Sequence, residues 1–198
     1  MSISKQKSHL RRLGKERRRE AQETLDGDIS ESFGGSLTEF ADGIGVDEKT
    51  VIAAYWPIGD EVDVIPAIKR LIHVMRIQCC LPIVLGNELP LIFKLWHPGE
   101  SLCLGKFGTS QPHTASQIVN PSILLIPLLA YDLAGYRLGW GGGFYDRTIT
   151  AMKENGHSII SIGVGYAAQQ IPLIPRNSFD QPMDWILTEE GMYKVDEA

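Results

Sequence analysis

Residues 126–147 read IPLLAYDLAGYRLGWGGGFYDR. The apolar run Ile123–Leu129 has no polar alternation, as expected of a strand buried on both faces. Residues Gly143–Asn155 read as a helix closed by Gly156. Between them lie Gly139, Gly141, Gly142 and Gly143. A loop of such residues lets a ligand approach the backbone closely. Bare N–H groups next to a helix N-terminus suit phosphate. Arg137 and Arg147 add charge-assisted donors at either end, and Asp146 is a hard oxygen donor of the kind Mg²⁺ takes. A tight strand-to-helix turn is the plain alternative. The company of Arg, Tyr and Asp in one window favours anion binding. No G-K-S/T follows the glycines, so this is not a Walker A loop. It is not G-x-G-x-x-G either.

Outward from this unit the chain alternates strands and helices. Thr50–Trp56 reads as another strand buried on both faces and is stopped by Pro57-Ile-Gly59. Val64–Met75 places Ile65, Ile68, Leu71, Ile72 and Met75 at helical spacing. Ile77–Val84, Leu91–Trp96, Ser158–Gly163 and Trp185–Thr188 are expected strands. Residues 4–24 read as a polar, basic helix, ended by Asp26-Gly27-Asp28. In residues 28–49, Gly34-Gly35 and Gly43 interrupt Phe33, Leu37 and Phe40, so a loop-rich connection is expected. The alternation argues an α/β fold with a mostly parallel sheet. Such sheets bind ligands beyond the carboxyl ends of their strands. Asp60-Glu61-Val62-Asp63 and Gly139–Asp146 both follow strands, so both are expected at that edge.

A chain of 198 residues, 43% apolar and 22% charged, suits one soluble globular domain. Eight basic and two acidic groups crowd the first 20 residues, leaving −11 for the rest out of a net −5. A basic end on an acidic body suggests an anionic ligand near that end. Arg17–Arg19, interleaved with Glu16 and Glu20, read as a solvated helix face. Lys7 and Arg11 are four apart and share a face where a ligand role is open. There is no secretory h-region, no run long enough for a membrane span, and no disulfide framework in Cys79, Cys80 and Cys103. The cytoplasm is the expected compartment. Five scattered His offer no zinc pattern, and His113 is read as a surface residue. The acidic body argues against nucleic acid.

The order of residues resembles the 5-formyltetrahydrofolate cyclo-ligase (methenyltetrahydrofolate synthetase) family. Its signature runs P-G-L-A-F-D-x-x-G-x-R-L-G-x-G-x-G-Y-Y-D. Here Leu128 stands for the first Gly, Tyr131 for Phe and Phe144 for the first Tyr. Many members carry Lys where this chain has Gly142, and Arg147 is a substitute charge. Lys7-Ser-His-Leu-Arg11 is similar to the family's K-x-x-L-R. Residues 55–63, YWPIGDEVD, resemble its strand end. Gly108-Thr-Ser-Gln-Pro112 resembles G-I-x-E-P with Gln111 for Glu. Phe179-Asp180 and Asp184–Thr188 resemble its closing segment.

The resemblance implies a three-layer, ribose-phosphate-isomerase-like sandwich spanning residues 1–198. It implies a monomeric ligase acting on a reduced folate, with ATP and Mg²⁺ as cofactors. ATP would meet Lys7, Arg11, Arg137, Leu138, Gly139, Trp140, Gly141, Gly142, Gly143, Phe144 and Tyr145, with Arg137 and Tyr145 catalytic. Folate would meet Trp56, Glu61, Trp140, Phe144 and Tyr145, and Asp146 and Asp180 would hold the metal. From the residues alone, Glu61 and Asp63 share a face on extended chain, and a solvated strand end explains them equally well. Trp56 equally reads as a core aromatic, and Asp146 as a first-turn helix acid. Two alternatives stand: another ATP- or phosphate-dependent enzyme on this scaffold, and a nucleic-acid binder using the basic helix.

Overall fold

The computed structural model describes residues 2–25 and 29–196. The Asp26-Gly27-Asp28 helix stop lies outside the described residues. The helices are α1 (Ile3–Thr24), α2 (Ile29–Gly43), α3 (Ile65–Met75) and α4 (Phe144–Glu154). The strands are β1 (Val51–Ala53), β2 (Gln78–Ile83), β3 (Ile92–Leu95), β4 (Cys103–Leu104), β5 (Ser110–Gln111), β6 (Ile118–Val119), β7 (Ile123–Pro127), β8 (Ala130–Tyr131), β9 (Arg137–Leu138), β10 (Ile160–Val164), β11 (Trp185–Thr188) and β12 (Gly191–Lys194).

The main sheet has the order β12-β11-β10-β7-β1-β2-β3-β6. Its five central strands, β11-β10-β7-β1-β2, are parallel. The outer strands β12, β3 and β6 run antiparallel to their neighbours. The expected mostly parallel α/β sheet is thus present, with antiparallel margins. β4–β5 and β8–β9 form two short separate ladders.

The unbroken apolar character of β7 has the expected cause. Ile123 and Leu125 pack on one face with Phe33, Leu37, Ile68 and Leu71 of α2 and α3. Leu124 and Ile126 pack on the other with Ile149 and Met152 of α4. Helices therefore cover both faces, giving three layers. The strand expected over Thr50–Trp56 pairs only through Ala53. Beyond Ala54 the chain leaves the sheet, and the buried Tyr55 hydroxyl donates to the Val62 carbonyl at 2.8 Å.

Residues 29–43 correct the expected loop-rich connection: they are helical. Phe33, Leu37, Phe40 and Ala41 form one buried stripe. Burying that stripe outweighs the propensity cost of the glycines, about 1 kcal/mol each.

Candidate functional site

From β1 the chain runs outward to β2 and β3, then returns to β7 on the other side of β1 and runs outward again to β10 and β11. The order reverses between β1 and β7, and ligands of open α/β sheets bind at such a point. The segments leaving these two strands carry both expected polar clusters. They meet there: Trp140 Nε1 donates to Glu61 Oε1 at 2.9 Å across 79 residues of sequence.

Glu61 is 6% exposed, which excludes the solvated strand end. Its other oxygen accepts from Ile58 N at 3.0 Å. Asp63 does not share its face. A turn through Gly59 (φ +62°), with Glu61 N donating to Ile58 O, replaces the extended chain. Asp63 instead accepts from Ile65 N at 2.9 Å at the start of α3. Trp56 packs edge-on against Trp96, centroids 5.8 Å apart.

The Gly-rich loop runs from β9 into α4. Gly141 (φ +103°) and Gly143 (φ +67°) adopt left-handed backbone, which a side chain would strain. Gly139 has open space where a side chain would stand. The first-turn amides of α4 add the N–H groups that a helix start leaves free. Leu138 contributes backbone only, because its side chain is buried with Ala130, Ile171 and Ile174. Phe144 lies 6.0 Å from Phe107 on the hairpin β4–β5.

Arg137, 9% exposed, donates to the Gln181 carbonyl at 2.9 Å and pairs with Asp146 at 3.2 Å. Burial lowers its pKa, and the Asp146 carboxylate opposes that shift. Burial raises the pKa of the Tyr145 phenol, and the Glu61 charge raises it further. Tyr145 therefore stands as a neutral hydroxyl donor. Asp146 Oδ1 also accepts from Gln181 N at 3.0 Å. Asp180 accepts from Lys7 Nζ through both oxygens, each at 2.6 Å, and from Asn177 N at 2.7 Å.

Mg²⁺ fits this donor set in kind: Asp146 and Asp180 are hard carboxylates beside Arg137, and Asp146 Oδ2 carries no hydrogen bond among the described residues. No group of three or more His, Cys, Asp or Glu among the described residues is arranged for a metal. With Mg²⁺ bound, the rest of its shell would fall to phosphate oxygens and water.

Helix α1 lies across this edge. Arg11 Nε donates to the Gly139 carbonyl at 2.9 Å, and its guanidinium lies within 3.4 Å of where a Gly141 Cβ would be. Gly14 makes the seat possible, since a Cβ there would sit 2.2 Å from the Leu129 carbonyl oxygen. The solvated-face expectation for Arg17–Arg19 holds only for Arg19, which pairs with Glu23 in the open. Arg17 donates to the Gln170 carbonyl at 3.0 Å. Arg18 is 1% exposed and pairs with Asp60 at 2.6 Å. Lys7, Arg11 and Arg18 recur at helical spacing, a periodicity that would have pointed to Arg18.

The model of the 5-formyltetrahydrofolate cyclo-ligase family matches residues 3–189. The chain belongs to that family. It is 30% identical over 190 residues to the 5-formyltetrahydrofolate cyclo-ligase of Mycolicibacterium smegmatis, covering 92% of this chain and 93% of that one. It is 38% identical over 101 residues to the protein of that name from Haemophilus influenzae, a match spanning 49% of this chain and 53% of the other. The solution structure of Aquifex aeolicus 5,10-methenyltetrahydrofolate synthetase superposes with a TM-score of 0.71. It has 28% identity and covers all of this chain and 95% of its own.

Two departures from the cyclo-ligase family pattern now have a physical setting. A Cβ at Gly142 would meet the Phe144 ring at 2.6 Å, so a Lys there requires that ring to move. Arg147 occupies the neighbourhood instead, donating to the Gly142 and Asn87 carbonyls at 2.8 Å each. Gln111, where the family has Glu, lies on β5 with its buried Oε1 unbonded. That atom is 2.3 Å from where a Gly105 Cβ would lie, so Gly105 makes room for it.

Proposed function

We propose that this chain catalyses the ATP- and Mg²⁺-dependent cyclisation of 5-formyltetrahydrofolate to 5,10-methenyltetrahydrofolate, releasing ADP and phosphate. The observation that carries it is the meeting of Glu61, Trp140 and the Gly-rich loop at the β1/β7 switch point, in a chain the cyclo-ligase family matches over residues 3–189. The formyl oxygen is a poor leaving group. Transfer of the γ-phosphoryl to it makes phosphate the leaving group, and N10 of the folate closes the ring on the activated carbon. Such chemistry calls for positioning and charge neutralisation rather than a protein nucleophile.

The residues fit these tasks. The loop amides of 139–143, with Lys7, Arg11 and Arg137, take the phosphates. Lys7 must exchange Asp180 for phosphate when ATP arrives, which frees the Asp180 carboxylate. Asp146 and Asp180 hold Mg²⁺, which supplies neutralisation of phosphate charge. Tyr145, held neutral, donates a hydrogen bond to the transferred group. Glu61 accepts N–H groups of the pterin ring, with Trp140, Phe144 and Tyr145 as its walls.

The cysteines are free, which suits the cytoplasm. No helix among the described residues is long and apolar enough to cross a membrane. The bonds of Lys7, Arg11, Arg17 and Arg18 to the rest of the fold engage half of the cations of α1, which weighs against nucleic acid. The test is purified protein with 5-formyltetrahydrofolate, with and without MgATP. Growth of the methenyl absorbance only with MgATP, matched by phosphate release, is the expected result; absorbance that ignores ATP refutes it.

A further inference from the structure

We propose that Arg18 is a positioning residue for substrate: it anchors the Asp60–Glu61 segment from beneath, and its unpartnered Nη1 bonds Glu61 when substrate takes the place of Trp140. This rests on the cyclo-ligase reading and extends it by a residue. Arg18 lies in the C-terminal half of α1 with its guanidinium inside the protein. Nε and Nη2 both donate to Asp60 Oδ1, at 3.1 and 2.6 Å. Nη1 is buried and bonds nothing, although Glu61 Oε1 is only 3.6 Å away. Buried donors are nearly always satisfied, and an exception marks a place where something else completes the network.

What completes it follows from the neighbours. Glu61 Oε1 is held by the indole N–H of Trp140. That indole is 52% exposed, stands between Gly139 and Gly141, and lies over Arg18 and Lys15 at 5.3 and 4.4 Å. It is a replaceable partner set between two glycines. A ligand edge carrying N–H donors, such as an aminated heterocycle, replaces it on Oε1. The carboxylate then needs to move by less than about 1 Å to accept from Arg18 Nη1 at a normal charge-assisted distance. Glu61 thus reaches its full set of bonds only with ligand present. Arg18 acts through Glu61 and is not a catalytic residue.

The experiment compares Arg18→Gln, Arg18→Lys and Asp60→Asn with the wild-type protein. Calorimetry measures 5-formyltetrahydrofolate and ATP binding separately, and thermal unfolding is recorded on the same samples. Arg18→Gln should weaken folate binding about tenfold or more while ATP binding changes less than about twofold. Arg18→Lys keeps the charge without the fork and should recover part of the loss. Where Arg18→Gln fails to fold, Asp60→Asn carries the test: it loosens the anchor while keeping the cation, and should also weaken folate selectively. Unchanged folate binding in a folded variant, or equal losses for both ligands, would overturn the role of Arg18. Failure of the wild-type chain to bind 5-formyltetrahydrofolate would instead overturn the cyclo-ligase reading, and this role with it.

Discussion

Arg137 donates to the Gln181 carbonyl and pairs with Asp146 beneath the Gly-rich loop, so its truncation leaves a partly buried carboxylate without its cation. Arg137→Ala should lower kcat/KM for ATP by at least ~2 kcal/mol of transition-state stabilisation. Steady-state kinetics at varied ATP measure it, and an unchanged value would remove Arg137 from the phosphate site. Asp146→Asn should raise the Mg²⁺ concentration needed for half-maximal rate, read from a Mg²⁺ titration. An earlier melt with ordinary metal dependence would return Asp146 to helix stabilisation alone. Glu61→Gln should weaken folate binding by ~1–3 kcal/mol, the range for a bond to a charged group, with far less effect on ATP. Calorimetry with each ligand separates the two. These residues were legible because their types cluster next to strand ends. Arg18 was not, because a cation among other cations on a polar helix reads as solvated until Asp60 and Glu61 are seen beneath it. Asp63 misled for the opposite reason: extended spacing put it beside Glu61, and the turn at Gly59 sent it to α3.

Among the elements, α1 depends on one small residue. Gly14→Val puts branched carbon against the Leu129 carbonyl, where even a Cβ would lie 2.2 Å away. The helix must lift or the 128–131 segment must shift, at a cost of about 1–3 kcal/mol. The expected result is a lower unfolding midpoint together with weaker binding of both ligands, because Lys7, Arg11 and Arg18 ride on that helix. A midpoint and affinities equal to wild type would mean α1 is not seated there in solution. Elements with strong periodicity or unbroken apolar runs, such as α3, β2 and β7, were readable within one or two residues. The helix α2 was not, since its glycines outweigh the Phe33–Leu37–Phe40 stripe until its contact surface is known. The short ladders β4–β5 and β8–β9 are two residues per strand, too brief for any periodicity to declare them.

At the scale of the whole molecule, several weak acids are held neutral inside the fold. Burial pushes the Cys79 thiol from 9.0 up to about 12 and raises Cys80 as well. Burial raises Tyr55 and Tyr145 too, with the Glu61 charge adding to both. A raised folded-state pKa means that the native state keeps protons the unfolded chain has lost. The associated stability is complete below about pH 9 and is lost as pH rises toward the folded value. The urea midpoint should therefore fall steadily between about pH 9 and pH 11, and Cys79→Ala should flatten part of that fall. A flat wild-type profile would contradict the burial of these groups. The architecture as a whole was legible from strand–helix alternation, whereas the antiparallel margins, set by pairing partners, were not.

The seating of α1 also bears on how the chain is made. Its bonds to Gly139, Gln170 and Asp180 span 128, 153 and 173 residues. Synthesis runs from the N-terminus, so the helix leaves the ribosome long before those partners exist. Its face is cationic rather than oily, so during that wait it stays hydrated and offers nascent chains little to stick to. The helix is thus seated only once residues 139–180 have been made, and the ligand edge matures with them.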